Sequence, residues 1–234
     1  MANDFFKFKQ FVINQSDCAM KVGTDGVLLG AWVNLPTEGT VLDVGTGTGL
    51  LSLMITQRSN LLKIDAVEID EVAVNQAQQN VNQSPWKERI NVICADFFDM
   101  NIEKKYDLII CNPPFYKNSP KSSAINRDMA RSQICFDIKE FISKSASLLT
   151  ENGKLAFIVP SSLELLIYSY LDENNLLKRR ICKVQPIPSK PVHRLLLEAT
   201  FGKREMEFES LIIEEFGRHQ YSEMYKQLVK EFLL

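Results

Sequence analysis

Thr40-Val41-Leu42-Asp43-Val44-Gly45-Thr46-Gly47-Thr48-Gly49 decides the fold. The first five residues read as a buried strand, because β-branched and apolar side chains suit a covered sheet. The three alternating glycines predict a turn that lets backbone come close to a ligand. Leu50 to Arg58 then reads as a helix whose first N–H groups face that turn. The alternation continues outward. Lys63 to Ile69, Ile90 to Ala95, Tyr106 to Cys111 and Lys154 to Val159 read as strands. Glu71 to Gln83, Ile138 to Leu149 and Leu163 to Leu171 read as helices. Strands separated by helices predict an α/β fold with a mostly parallel, doubly wound sheet. Arg179 to Gln185 and Leu195 to Phe201 follow with only a proline-rich turn between them. They predict an antiparallel edge hairpin, which brings the sheet to seven strands. Ser210 to Phe216 offers a further strand, and Tyr221 to Leu233 a closing amphipathic helix. The expected organisation is an N-terminal pocket segment (1–36), a core (37–204) and a C-terminal extension of the same domain (205–234).

Composition narrows the class. With 234 residues, 45% apolar and 24% charged, the chain can bury one substantial core and has an ordinary globular balance. No apolar run is long enough to cross a bilayer, and MANDFFKFKQ lacks the features of a signal peptide, so a cytoplasmic, membrane-free protein is expected. The five cysteines are scattered without a C-x-x-C pair, and His193 and His219 stand far apart. Neither a metal site nor a disulfide framework is expected. Net charge is −2, but its distribution is uneven. From Lys117 to Arg131 four bases face one acid. Between Glu173 and Glu198 no acid occurs among Lys178, Arg179, Arg180, Lys183, Lys190 and Arg194. Lys117–Arg131 and Lys178–Arg194 are therefore candidate surfaces for a polyanion.

An open parallel sheet binds ligands beyond the carboxyl ends of its strands, so the strand ends carry the site. The turn is not the G-x-G-x-x-G of a dinucleotide fold: its third glycine comes one residue early, and Asp43 lies two before Gly45. A carboxylate there repels pyrophosphate and suits a cationic amino group such as that of S-adenosylmethionine. Glu68, followed by Ile69, closes the second strand nineteen residues after Gly49 and can accept ribose hydroxyls. Asp96 and Phe97 close the third and offer an acceptor and a ring for adenine. Gly45, Thr46, Gly47, Gly49, Asp43, Glu68, Ile69, Asp96 and Phe97 are the candidate cofactor residues.

Asn112-Pro113-Pro114-Phe115 closes the fourth strand. Two prolines fix φ and remove N–H groups, so the carbonyls project rigidly. The Asn112 side-chain oxygen and the Pro113 carbonyl can each accept one N–H of an exocyclic amine. That favours a pyramidal nitrogen with its lone pair aimed at a sulfonium methyl, and Phe115 can stack on a flipped base. The pattern points to methyl transfer onto an amino group from S-adenosylmethionine, with S-adenosylhomocysteine as product. Cys111, at the end of an apolar strand, reads as a buried hydrophobe rather than a nucleophile.

With these motifs placed, the sequence resembles the Rossmann-like class I methyltransferases that carry N-P-P-[FY]. Within them it is similar to the family that methylates N6 of adenosine 37 in valine tRNA. The match rests on FFKFKQFVINQSDCAMKVGTDGVLLGAW (Phe5 to Trp32), VLDVGTGTGLLSL, DLIICNPPF and HRLLLEATF (His193 to Phe201). The resemblance implies that Lys21, Thr24, Asp25 and Gly26 help close the cofactor pocket, beside Asp43, Gly45 and Glu68. It places Asn112 to Phe115 at the target amine and implies a tRNA substrate; a monomer is expected.

Three readings compete. A glutamine methyltransferase of a release factor shares N-P-P but usually carries a helical domain before the core. A guanine-N2 rRNA methyltransferase often has a duplicated domain. A non-catalytic RNA-binding subunit leaves the N-P-P-F motif without a purpose. A nicotinamide oxidoreductase is disfavoured by the glycine spacing.

Overall fold

The computed structural model describes residues 3–18, 20–114, 136–202 and 205–233. In chain order the strands are β1 (Phe5–Lys7), β2 (Val12–Asn14), β3 (Gly39–Val44), β4 (Leu62–Glu68), β5 (Ile90–Cys94), β6 (Tyr106–Cys111), β7 (Leu149–Pro160), β8 (Leu177–Gln185), β9 (Arg194–Thr200) and β10 (Glu207–Ile212). The helices are α1 (Thr24–Trp32), α2 (Leu50–Arg58), α3 (Glu71–Asn82), α4 (Ile138–Leu148), α5 (Glu164–Glu173) and α6 (Glu223–Val229).

One sheet holds eight strands in the order β10-β8-β9-β7-β6-β3-β4-β5. Only β9 runs against its neighbours β7 and β8; the other pairings are parallel. The mostly parallel α/β sheet with an antiparallel hairpin toward one side is the expected one. It has eight strands rather than seven because β10 pairs with β8 and takes the outermost place. The 207–212 stretch thus forms the further strand, three residues earlier than its apolar pattern indicated.

Side chains alternate across each strand, and the two faces fill separate cores. Val41, Ile64, Leu108 and Ile158 join Trp32, Leu53, Met54, Val81 and Val229 from α1, α2, α3 and α6. Leu42, Ile109 and Phe157 join Phe141, Ile167 and Leu171 from α4 and α5 on the other face. Helix starts are set locally where a side chain can cap them: Asp70 accepts from Val72 N–H, Asp137 from Lys139 and Glu140, and Ser222 from Tyr225.

The N-terminal segment contributes elements that the sequence pattern did not define. β1 and β2 form a small antiparallel hairpin. Phe8, Phe11 and Ile13 enter the first core beside Val229 and Phe232, and Lys9 N–H bonds Phe232 O at 2.9 Å. Helix α1 is buried from Gly26 to Trp32, apolar on every side, so its sequence has no amphipathic stripe to betray it.

Register positions the site. Val44 at the end of β3 lies opposite Cys111 at the end of β6, so Gly45 and Asn112 leave the sheet side by side. Val67 lies opposite Val44, and Glu68 opposite Cys94. Beyond β6 the same edge carries Pro160, then Arg194, then Gln185.

Candidate active site

The glycine turn is built by backbone and by one buried acid. Gly45, Gly47 and Gly49 have φ of 68°, 55° and 82°, a region in which other residues are strained. A Cβ on Gly45 or Gly47 meets no atom within 4 Å, so the turn borders open space. Gly45 and Thr46 N–H both bond Val67 O, at 2.9 and 3.0 Å, which holds the turn over β4.

Asp43 is sealed beneath this turn at 0% exposure. Its Oδ2 accepts from Thr46 Oγ1 (2.6 Å), Ser52 Oγ (2.7 Å) and Ser52 N–H (3.2 Å), tying the turn to α2. Its Oδ1 is buried and has no partner. Burial pushes the carboxyl up to about 6, against the three hydrogen bonds, which favour the charged form. The sequence pattern placed Asp43 at the cofactor; the structure shows it first as the support of the turn. Ser52 carries part of that support, and nothing in its helical context signalled it.

Glu68 reaches from the end of β4 across the turn. Its Oε2 accepts Gly47 N–H at 2.9 Å, and its Oε1 accepts Ile69 and Asp70 N–H at 2.9 and 3.1 Å. Ile69 beside it is 45% exposed, an apolar side chain in water at a strand end. Asp96 Oδ1 accepts Phe98 N–H at 2.8 Å. Phe97 departs from the expectation. Its ring packs in the second core against Phe98 and Phe141, at 5.4 and 6.0 Å, and is 4% exposed. Core packing has claimed the face that the sequence reading offered to adenine.

The N-terminal segment reaches the same edge. Burial first, then the charges of Glu68, Asp70 and Asp17, push the Cys18 thiol up to about 11. Lys21 Nζ turns back to Asn3 O at 3.3 Å and to Asp4 at 3.9 Å. Asp25 Oδ2 holds Arg194 Nε at 2.7 Å. A Cβ built on Gly26 stands 2.9 Å from Leu50 Cδ2 and 3.6 Å from Asn112 Nδ2, so glycine there lets α1 close on α2 beside Asn112. Asn80, 1% exposed on α3, was missed by the sequence reading. Its Nδ2 donates to Asn14 O and Thr48 O, both at 2.9 Å, and its Oδ1 accepts Asn14 N–H at 2.9 Å. It joins the β1–β2 hairpin to the glycine turn.

Asn112 is half-buried and Pro113 buried. Phe115 and the stretch 117–131 lie outside the described residues. Cys111 is buried, and burial together with the charges of Asp43 and Glu68 raises its thiol well above the ordinary value. It is no thiolate nucleophile.

The basic stretch Lys178–Arg194 is a different surface from the one its sequence suggests. Acids outside the stretch neutralise five of its six bases: Lys178 meets Asp172 (3.4 Å), Arg179 Glu207 (2.7 Å), Arg180 Glu209 (2.6 Å), Lys183 Glu164 (3.1 Å) and Arg194 Asp25 (2.7 Å). Arg180 is largely buried, stacked on Trp32 at 4.2 Å. Among the described residues only Lys190 of this stretch has no ion pair. Among the described residues, too, no three His, Cys, Asp or Glu side chains gather as a metal site, and no helix is long and apolar enough to cross a membrane.

A glycine turn and an N-P-P strand end on adjacent parallel strands of this sheet define a class I methyltransferase. Among solved structures, a predicted O-methyltransferase from Agrobacterium tumefaciens superposes with a TM-score of 0.71 at 18% identity, covering 89% of this chain and 96% of that one. A ribosomal protein L11 methylase from Lactobacillus delbrueckii gives 0.59 at 16% identity, over 82% and 84%. The family described as "Methyltransferase small domain" matches residues 18–173. Two relatives, from Christiangramia forsetii and Bacteroides thetaiotaomicron, are named tRNA1(Val) (adenine(37)-N6)-methyltransferase. They are 43% and 41% identical, and each alignment covers 100% of this chain and 99% of the relative. A third of that name, from Trichodesmium erythraeum, is 39% identical with the same coverage. The chain therefore belongs to the methyltransferase small domain family, in the group that these relatives form.

Proposed function

We propose that the protein transfers a methyl group from S-adenosylmethionine to N6 of adenosine 37 in tRNA1(Val). The observation that carries the chemistry is the register that sets Asn112 beside the open glycine turn, with α1 closed on α2 beside it at Gly26. The tRNA substrate is supported by full-length relatives of that name.

The residues present fit the cofactor. Gly45 and Gly47 border open space, the orphaned Asp43 Oδ1 is an acceptor in want of a cation, and exposed Ile69 offers an apolar wall to a base. Glu68 Oε2 accepts only Gly47 N–H and keeps a lone pair for a ribose hydroxyl, while Oε1 is already filled by Ile69 and Asp70 N–H. When bound, the cofactor supplies an electrophilic methyl on a cationic sulfur. Asn112 and the Pro113 carbonyl accept the two N–H bonds of the target amine and aim its lone pair. Catalysis then rests on positioning and preorganised dipoles. The adenosine must leave its stack to reach this edge.

The test is transfer of labelled methyl to total tRNA, total rRNA and release factor side by side, followed by nucleoside analysis. Label in N6-methyladenosine of tRNA is expected. Label in protein glutamine or in guanine of rRNA overturns the reading.

A further inference from the structure

Beyond β6, on the side of Asn112 away from the glycine turn, the same sheet edge holds a depression of about 240 Å³. Leu28, Val184, Pro186 and Ile213 give it apolar walls, and His193 and Arg194 stand at its rim. Arg194 is fixed in place by its 2.7 Å bond to Asp25, one residue before the Gly26 that faces Asn112. Neighbouring strands lie about 4.8 Å apart, so Arg194 on β9, two strands from β6, is roughly 10 Å from Asn112 along the edge. Val184 on β8 is one strand further.

We propose that this depression is a subsite for a second nucleobase of the substrate RNA, one or two nucleotides from the target adenosine. The proposal rests on the function given above. Three observations favour a base there. Its position puts the target between cofactor and depression: the glycine turn lies over β3 and β4 on one side of Asn112, and the depression over β8 and β9 on the other. Its chemistry matches a base, whose faces are apolar and whose edge is polar: aliphatic walls, with His193 and the guanidinium held by Asp25 at the rim. Unstacked loop bases are held by contacts of this kind. Its surroundings carry the right charge as well. The β8–β9 turn that forms its wall includes Lys190, the one base of the stretch left without an ion pair among the described residues. Gln185 Nε2 holds Lys190 O at 3.0 Å and Lys190 N–H bonds Ile187 O at 3.1 Å, so the turn presents that ammonium from a built frame to a nearby phosphate.

The experiment pairs pocket variants with abasic substrates. A short anticodon stem-loop RNA is made intact and in a series in which each nucleotide near the target has its base replaced by hydrogen. With wild-type protein, one abasic loop is expected to lose tenfold or more in kcat/KM. Ile213→Trp, which fills the depression, should lose a similar factor on the intact loop and nothing further on that abasic loop. His193→Ala, at an exposed position, should show the same non-additivity with a smaller loss and serves if the tryptophan variant does not fold. Binding of S-adenosylhomocysteine should be unchanged in both. Additive losses, or no penalty from any abasic loop, overturn the subsite. Weakened S-adenosylhomocysteine binding assigns the depression to the cofactor and overturns it too. If wild-type protein leaves the intact loop and whole tRNA unmethylated, it is the function reading that fails.

Discussion

The Gly47 N–H donates to Glu68 Oε2 at 2.9 Å, so the carboxylate proposed to hold the ribose also holds the turn that must receive the rest of the cofactor. One side chain thus has two tasks. Glu68→Ala should weaken S-adenosylhomocysteine binding by about tenfold or more, because losing a charged acceptor to the ligand alone removes about 1.5–3 kcal/mol. Glu68→Gln keeps an acceptor and should fall between. Calorimetric titration reads both. Equal binding by wild type and Glu68→Ala would remove Glu68 from the site.

Asp43 makes a pH-dependent prediction. Its folded-state carboxyl is raised to about 6 by burial, from 3.8. The folded protein therefore holds this proton more tightly than the unfolded chain. The group favours folding fully below about pH 4 and loses that contribution as pH rises through about 6. An orphaned, ionised Oδ1 favours a cationic ligand. Affinity for S-adenosylhomocysteine, which keeps an α-ammonium, should rise as pH is taken from 5 to 7.5. In Asp43→Asn the rise should flatten and affinity at pH 7.5 should drop. An unaltered pH profile in that variant would confine Asp43 to supporting the turn.

Asn112→Ala should lower kcat by about 10²–10³-fold, the scale of removing one preorganised polar contact to the reacting group. S-adenosylhomocysteine affinity should stay near that of the wild type. Gly26→Ala tests the same geometry from the other side. Its methyl arrives 2.9 Å from Leu50 Cδ2, so α1 or the Leu50 side chain must shift, and the Asn112 side chain lies in contact at 3.6 Å beside that change. We expect a lower kcat with thermal stability reduced only modestly. Normal turnover in both variants contradicts the assignment of Asn112 to the amine.

The fold was legible because its signals are local. A strand of Val and Leu ending in glycines, or in Asn-Pro-Pro, announces itself in a few residues. The turn, Glu68 and Asn112 were found that way, and register then brought them together. What was hidden depends on packing and on partners that only the fold brings together. Phe97 reads as a ring for adenine until Phe98 and Phe141 are seen around it. The bases from Lys178 to Arg194 read as a cationic patch until Asp25, Glu164, Asp172, Glu207 and Glu209 fold onto them. Helix α1 has no polar face to give it a period, and Asn80 looks like any helix asparagine.

That neutralised stretch yields its own prediction. Arg180→Ala should cost about 3 kcal/mol of folding stability, since it leaves Glu209 and the buried Glu198 short of a cation. It should not change the salt dependence of tRNA binding. Lys190→Glu should do the reverse: melting unchanged, tRNA affinity lowered, and a shallower slope against salt. Chemical denaturation and gel shifts at several salt concentrations separate the two. A loss of RNA affinity in folded Arg180→Ala would return the ion-paired bases to the interface.

Asn80 couples the hairpin of β1 and β2 to the glycine turn through three hydrogen bonds at a buried position. Asn80→Ala leaves Asn14 N–H, Asn14 O and Thr48 O without these partners. The cost should be about 2–3 kcal/mol, because buried polar groups lose their bonds without regaining water. Thr48 lies between Gly47 and Gly49, so the loss falls on the turn as well as on the hairpin. We expect weaker S-adenosylhomocysteine binding, and faster amide exchange at Asn14 and Gln15 than elsewhere in the variant. Asn80→Asp keeps the acceptor for Asn14 N–H and removes both donors. It should restore slow exchange at Asn14 while leaving cofactor binding weak. If both variants bind the cofactor as tightly as wild type while exchange at Asn14 is fast, the hairpin and the turn are independent, and Asn80 serves the N-terminal segment alone.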